Sequence, residues 1–192
     1  MLKVTLIRHF ATQGNLQKRY IGITDEPLCE EGRLKIKSIH YPEVEAVFSS
    51  PMIRCVETAK LIYPNHIPVL YDGFRECDFG DFENKNYQEL SKHPKYQDWI
   101  DSNGTLPFPG GEDNVQFKER SIKAFDEVIN LCLNEGYQSI GVIVHGGTIM
   151  SILEKYSYPN KSYFHWQVGN GLGFTTVMKT NDRRLSEICT IH

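Results

Sequence analysis

The 192-residue chain has no stretch of 18 apolar residues, no run of lysines and arginines, no low-complexity tract and no internal repeat. Each absence removes a class of protein. Without a long apolar run there is no candidate membrane span, and the apolar opening Val4 to Ile7 is too short for the hydrophobic region of a secretory signal. An unexported, cytoplasmic protein is expected. A net charge of −3 and a pI near 6.2, with no basic cluster, give no electrostatic footprint for nucleic acid or an anionic membrane. Any anion must be held locally. The five cysteines (Cys29, Cys55, Cys77, Cys132 and Cys189) are odd in number and lack C-x-x-C spacing, which fits reduced thiols better than a disulfide framework.

Several reactive motifs are missing too. No cysteine is followed six positions later by arginine, which removes the cysteine-dependent phosphatases. G-x-x-x-x-G-K-[ST] is absent, and with it a P-loop. Neither H-E-x-x-H nor a Cys/His zinc spacing occurs, so no metal and no cofactor are expected. Gly169, Gly171 and Gly173 form a G-x-G-x-G run, but they precede a strand pattern and do not open a helix, which argues against a dinucleotide site.

What is present is an ordinary globular composition, with 40% hydrophobic and 23% charged residues, at a length that suits one domain over 1–192. Lys3 to His9 and "SIGVIVHGG" (Ser139 to Gly147) read as buried strands, each ending at a histidine. Ala46 to Ser49 and Val69 to Tyr71 are shorter strand candidates. "SSPMIRCVETAKLI" predicts a helix capped by Ser50 with Pro51 at its first position, and a longer helix runs from about Asp113 to Glu135 with Gly136 as its stop. "GLGFTTVMKTNDRRLSEICTI" reads as two strands joined at Asn181-Asp182, a hairpin at a sheet edge. Ser102 to Gly111, rich in proline and glycine, reads as a loop over one face. Alternating strands and helices predict a three-layer α/β/α sandwich around a mainly parallel sheet with an antiparallel edge strand.

Ligands of such sheets bind beyond the carboxyl ends of the strands, where His9 and His145 both fall. Arg8 and Arg54 add permanently charged forks suited to phosphate oxygens, with Arg54 in the first turn of a helix whose amino end favours an anion. One neutral imidazole could attack phosphorus while a second, protonated one binds its oxygens. Glu76, in "FRECDFGDFE", is a candidate acid for the leaving oxygen if burial raises its pKa.

The motifs "LIRHFATQGN", "RYIGITDEPLCEEGR", "SSPMIRCVETA", "ECDFGDFE", "PGGED" and "VIVHGGTIM" follow one another from Leu2 to about Ser151, and together they resemble the histidine phosphatase superfamily, the phosphoglycerate mutase-like family. The resemblance implies a phosphoglycerate mutase-like fold with a small helical cap at about 82–112. It implies His9 as the nucleophile that becomes phosphohistidine, Arg8, Arg54 and His145 as the clamp on the phosphoryl group, and Glu76 as the proton donor. Asn15 and the Gly146 amide would add hydrogen bonds, and Thr12, Gln13, Ile21 and Gly22 fall in the same motifs as further substrate contacts. No metal is needed, since arginine and histidine supply the positive charge.

Three positions depart from the pattern: Phe10 replaces the signature glycine, Cys29 a hydroxyl residue, and Asn84 a frequent glycine. At Phe10 the backbone N–H would remain for phosphate, and the ring must turn either toward the substrate's leaving group or into the core. Mutases of the family carry insertions for which the short span between Glu76 and His145 leaves little room, so the resemblance implies hydrolysis. The layout is similar to that of the α-ribazole phosphatases, with Tyr96, Trp99, Phe108 and Phe10 available either to stack on a flat base or to pack the cap. A phosphorylated small molecule is the expected partner, bound by a monomer or homodimer. A mutase, or a phosphate-binding relative silenced at Phe10, are the alternatives.

Overall fold

The computed structural model describes residues 1–179 and 181–192, leaving Thr180 of the hairpin connection outside the described residues. Six strands form one sheet: β1 (Leu2–Arg8), β2 (Ala46–Ser49), β3 (Val69–Leu70), β4 (Ser139–Val144), β5 (Gly173–Met178) and β6 (Leu185–Ile191). Their order is β3-β2-β4-β1-β5-β6. The four strands from β3 to β1 run parallel, while β5 runs against β1 and β6 against β5, so the C-terminal hairpin supplies the antiparallel edge. This is the mixed α/β architecture that the alternating pattern predicts.

The strands β1 and β4 lie at the centre because their side chains are apolar on both faces. Val4, Leu6, Ile7, Ile140, Val142, Ile143 and Val144 are all fully buried. Seven helices flank or cap the sheet among the described residues: α1 (Gln13–Leu16), α2 (Glu30–Leu34), α3 (Ile53–Ile62), α4 (Tyr87–Leu90), α5 (Tyr96–Asp101), α6 (Asn114–Glu135) and α7 (Gly146–Tyr156). On one face Phe125, Val128 and Ile129 of α6 and Ile149, Ile152 and Leu153 of α7 close the larger core; on the other, Cys55 and Ala59 of α3 pack with Ile7, Val47 and Ile143.

The long helix begins and ends as its sequence dictates. Asp113 caps it by accepting from the amides of Val115 (2.8 Å) and Gln116 (3.3 Å), and Gly136 closes it at φ +78°, where a side chain would be strained. The start of α3 differs from expectation. Met52, not Ser50, is the N-cap and makes no side-chain cap bond, because strand β2 carries the chain inward and leaves Ser50 fully buried beside His145. Cys29 does what the missing hydroxyl would do: its sulfur accepts from the Gly32 amide at 3.3 Å and its thiol donates to the Ala11 carbonyl at 3.2 Å. Asn84 sits at φ +54°, which explains why glycine suits that position and why asparagine, the side chain most tolerant of the left-handed region, can replace it.

Between β3 and α6 the chain builds a small apolar cluster from Cys77, Phe82, Leu90, Tyr96 and Phe108, closed by Phe117 of α6, with Tyr20, Phe79 and Trp99 against it. Phe82 makes edge contacts with Tyr96, Trp99 and Phe108 at ring-centroid distances of 5.3, 5.8 and 6.0 Å. These aromatics pack on one another. Of the two uses open to Tyr96 and Phe108, stacking on a base or packing the cap, the structure shows the packing.

Candidate active site

Register alone brings the two histidines together. Parallel pairing sets Arg8 opposite Val144, and the amide of His9 donates to the Val144 carbonyl at 2.9 Å, so His9 and His145 leave the sheet side by side. Their ring centroids are 5.2 Å apart at an interplanar angle of 66°. Strand β2, the other neighbour of β4, ends one step away and delivers Ser50, whose Oγ shares a 3.0 Å hydrogen bond with His145 Nε2.

The tautomer of His9 follows from its partner. Nδ1 lies 2.6 Å from the Phe10 carbonyl, which can only accept, so Nδ1 carries the hydrogen and Nε2 keeps its lone pair. Burial is the main force that lowers the His9 pKa well below 6.5, with the charges of Arg54 and Arg8 acting in the same direction. His145 is lowered well below 6.5 for the same first reason and by the same arginines. The resting site therefore holds two neutral imidazoles, one of them with its Nε2 lone pair fixed in direction.

The two arginines are pinned by carbonyls and left partly unsatisfied. Arg54 donates from Nη1 to Thr24 O at 2.7 Å and from Nη2 to Gly22 O at 2.8 Å and Ile21 O at 3.4 Å. Arg8 donates from Nη1 to Val168 O at 2.7 Å. In both guanidinium groups Nε is buried without a hydrogen-bond partner. A buried, unpaired cationic donor is costly, and two of them act on the same pair of imidazoles. An anion placed there would satisfy both.

Glu76 completes the cluster. Its side chain is 12% exposed, its Oε1 accepts from the Cys77 amide at 3.0 Å, and its Oε2 lies 3.9 Å from His145 Nδ1. Burial raises its pKa from 4.5 against the opposing pull of that amide and of Arg54, Arg8 and Arg120. The glycine after Gly146 is needed for room: a Cβ at Gly147 would stand 2.9 Å from the Phe117 ring and 3.2 Å from Glu76 Oε1. Cys55 also touches His145, at 3.6 Å, but burial pushes its thiol up to about 12 and removes it as a nucleophile.

The other expected contacts divide. Asn15 Oδ1 is engaged by the Thr12 amide (3.2 Å) and Asn170 Nδ2 (3.1 Å), which turns its Nδ2 donor into what it can offer an anion. Gly146 opens α7 directly after His145. Gln13 is exposed at the start of α1. Thr12 is fully buried and its hydroxyl caps α1, which shapes the loop. Ile21 and Gly22 are buried too; their carbonyls hold Arg54, and the Gly22 amide donates to Glu83 at 2.8 Å.

Phe10 takes the core one of the two orientations open to its ring, and its amide departs from expectation. Its ring is fully buried against Tyr41, at 6.3 Å between centroids, within the core of Ile7, Leu28, Val44 and Val47, and so is not a substrate contact. Its amide is not available to phosphate either, because it donates to Thr58 Oγ1 at 3.0 Å. Nor does Phe10 adopt a positive φ, so no backbone strain is stored there. Sequence reasoning missed Asn170, which ties the His9 carbonyl (3.1 Å) to Asn15, although it stands in the conspicuous Gly-Asn-Gly run.

The neutral histidines make stability depend on pH. Unfolded histidines take up protons near 6.5 while the folded ones do not, so each makes stability rise with pH up to about 6.5. Glu76 opposes this above 4.5, where the folded chain holds a proton that the unfolded one has lost. Two histidines act against one carboxyl, so the net slope through that window is a loss of stability on acidification. Denaturant unfolding at about pH 5 and about pH 6.5 should show that slope, flattened in His145→Asn; an equal slope in the variant would mean His145 is not held neutral.

The family model described as histidine phosphatase superfamily (branch 1) matches residues 4–187. A 2,3-bisphosphoglycerate-dependent phosphoglycerate mutase 2 of Gloeobacter violaceus is 30% identical over 167 residues, covering 80% of this chain and 74% of that one. An adenosylcobalamin/α-ribazole phosphatase of Salmonella typhimurium is 26% identical over 204 residues, covering 95% of this chain and 97% of that one. The crystal structure of an α-ribazole phosphatase from Shigella flexneri superposes with a TM-score of 0.80 at 21% identity, covering 96% and 94% of the two chains.

Proposed function

This chain belongs to the histidine phosphatase superfamily, and from that premise we propose that it is a phosphomonoesterase working through a phosphohistidine at His9. The observation that carries the reading is the pair of buried, unpartnered guanidinium Nε donors of Arg8 and Arg54 beside an imidazole whose Nε2 lone pair is fixed outward from its own carbonyl bond. His9 Nε2 attacks phosphorus and the bond to the ester oxygen breaks. Glu76 gives that oxygen its proton. Water then attacks the phosphohistidine, the P–N bond breaks, Glu76 takes the proton from water, and inorganic phosphate leaves with His9 neutral again. Arg8, Arg54 and, once the dianion is bound, a protonated His145 hold the equatorial oxygens.

Hydrolysis is the reading because the short span between Glu76 and His145 leaves little room for a mutase's insertions, and the chain matches 97% of the α-ribazole phosphatase relative. The same full-length match makes α-ribazole 5′-phosphate the first ester to assay, with other small phosphate esters beside it. Unpaired cysteines spread through the chain support a cytoplasmic setting.

Glu76→Gln tests the acid. It should slow alkyl phosphates by about 10²-fold or more while p-nitrophenyl phosphate, whose leaving oxygen needs little protonation, loses far less. Steady-state rates on both esters decide, and equal losses would remove Glu76 from the proton transfer.

A further inference from the structure

The carboxyl of Glu76 projects from a loop, and a loop does not hold an acid in place by itself. The segment Asp72 to Glu76 is fastened at both ends. At one end Phe74 is fully buried in the larger core, and Gly73 packs so closely on α6 that a Cβ there would lie 2.8 Å from Ala124 Cβ and 3.1 Å from the Arg120 carbonyl. At the other end stands the Arg120 side chain.

Arg120 donates from Nη1 to the carbonyls of Gly73 (3.0 Å) and Arg75 (2.7 Å) and from Nη2 to the carbonyl of Glu76 itself (3.0 Å). Nε and the second Nη2 hydrogen go to Glu112, at 2.6 and 2.7 Å. All five guanidinium donors are thereby used, three of them on the backbone that carries the acid. The pair is largely enclosed, at 29% and 17% side-chain exposure. The Arg120 guanidinium also lies 5.0 Å from the centre of the Phe117 ring, the same ring that borders Gly147 and so the wall behind Glu76 Oε1.

The geometry points to Arg120, oriented by Glu112, as the positioning residue for Glu76. It sets the backbone from which the carboxyl projects, and through it the distance from the acid to the leaving oxygen. This inference rests on the role of Glu76 proposed above, and it concerns neither phosphate binding nor nucleophilic attack.

Arg120→Lys is the direct test, since lysine keeps the charge and the stem but cannot make a planar five-donor fork. With an alkyl phosphate, kcat should fall by about 10- to 100-fold at a KM changed by less than about 2-fold, while kcat on p-nitrophenyl phosphate stays within about 3-fold. Glu112→Gln, which leaves the three backbone bonds in place, should give the same split at about 3- to 10-fold on the alkyl ester. It also decides the matter if Arg120→Lys shows no cooperative thermal transition. Equal losses on both esters, or no loss on either, would overturn the positioning role. Glu76→Gln, run alongside, separates the two failures: if it shows no split between esters the acid itself is misassigned, and if it does while neither partner variant follows, only the positioning is.

Discussion

His9→Ala is expected to lower turnover by about 10⁴-fold or more and to abolish any covalent phosphoenzyme. The expectation comes from geometry. His9 is the imidazole whose Nδ1 is committed to a carbonyl, which leaves Nε2 both unprotonated and fixed in direction, while His145 shares its Nε2 with Ser50. Replacing His145 by Asn should therefore weaken charge stabilisation without removing the nucleophile. Replacing His9 removes the bond-forming atom, and water in the same cationic cavity would have to attack the ester directly. Rapid-quench labelling with a ³²P-phosphorylated ester distinguishes the outcomes: the wild type should give an acid-labile, base-stable adduct and His9→Ala none. A wild type that forms no adduct, and hydrolyses nothing that His9→Ala does not, would leave a phosphate-binding protein and no phosphohistidine enzyme.

Legibility in the sequence followed the range of the interaction. β1 and β4 were readable because a strand buried on both faces must be apolar almost throughout, and the pairing of their carboxyl ends then places His9 beside His145 without further information. The capping of α6 by Asp113 and Gly136 is equally local. Ser50 was misread by the same local logic: Ser-Pro before an apolar repeat is a sound cap signal, and only the sheet, by burying Ser50 against His145, turns it to another use. Contacts between distant segments left no mark that spacing could show. Thr58 meeting the Phe10 amide spans 48 positions, and Arg120 meeting the Glu76 carbonyl spans 44. The aromatic residues of the cap satisfy either of two patterns, and burial of Phe82, Tyr96 and Phe108 settles which one they serve.

Phe10→Gly, which restores the signature glycine, should damage the protein instead of improving it. The ring is among the largest fully buried side chains of the described residues, and deleting it leaves a cavity beside Tyr41 in the core that Leu28, Val47 and Ile143 share. Loss of a buried phenylalanine costs about 3–5 kcal/mol, and the added backbone freedom of glycine about 1 kcal/mol more, which rivals the total stability of many domains of this size. No gain offsets it, because the Phe10 backbone is not in the left-handed region and its amide already serves Thr58. Gly171 stands at φ +77°, and a Cβ there would lie 2.5 Å from Phe10 Cδ1. Gly171→Ala in the wild type should therefore cost both the steric overlap and about 1 kcal/mol of left-handed strain, whereas in the Phe10→Gly background only the strain remains. Denaturant unfolding of the two single variants and the double variant should show a sum of separate losses well above the joint loss. Strict additivity, or a Phe10→Gly protein as stable as the wild type and faster, would mean that the ring faces the substrate after all.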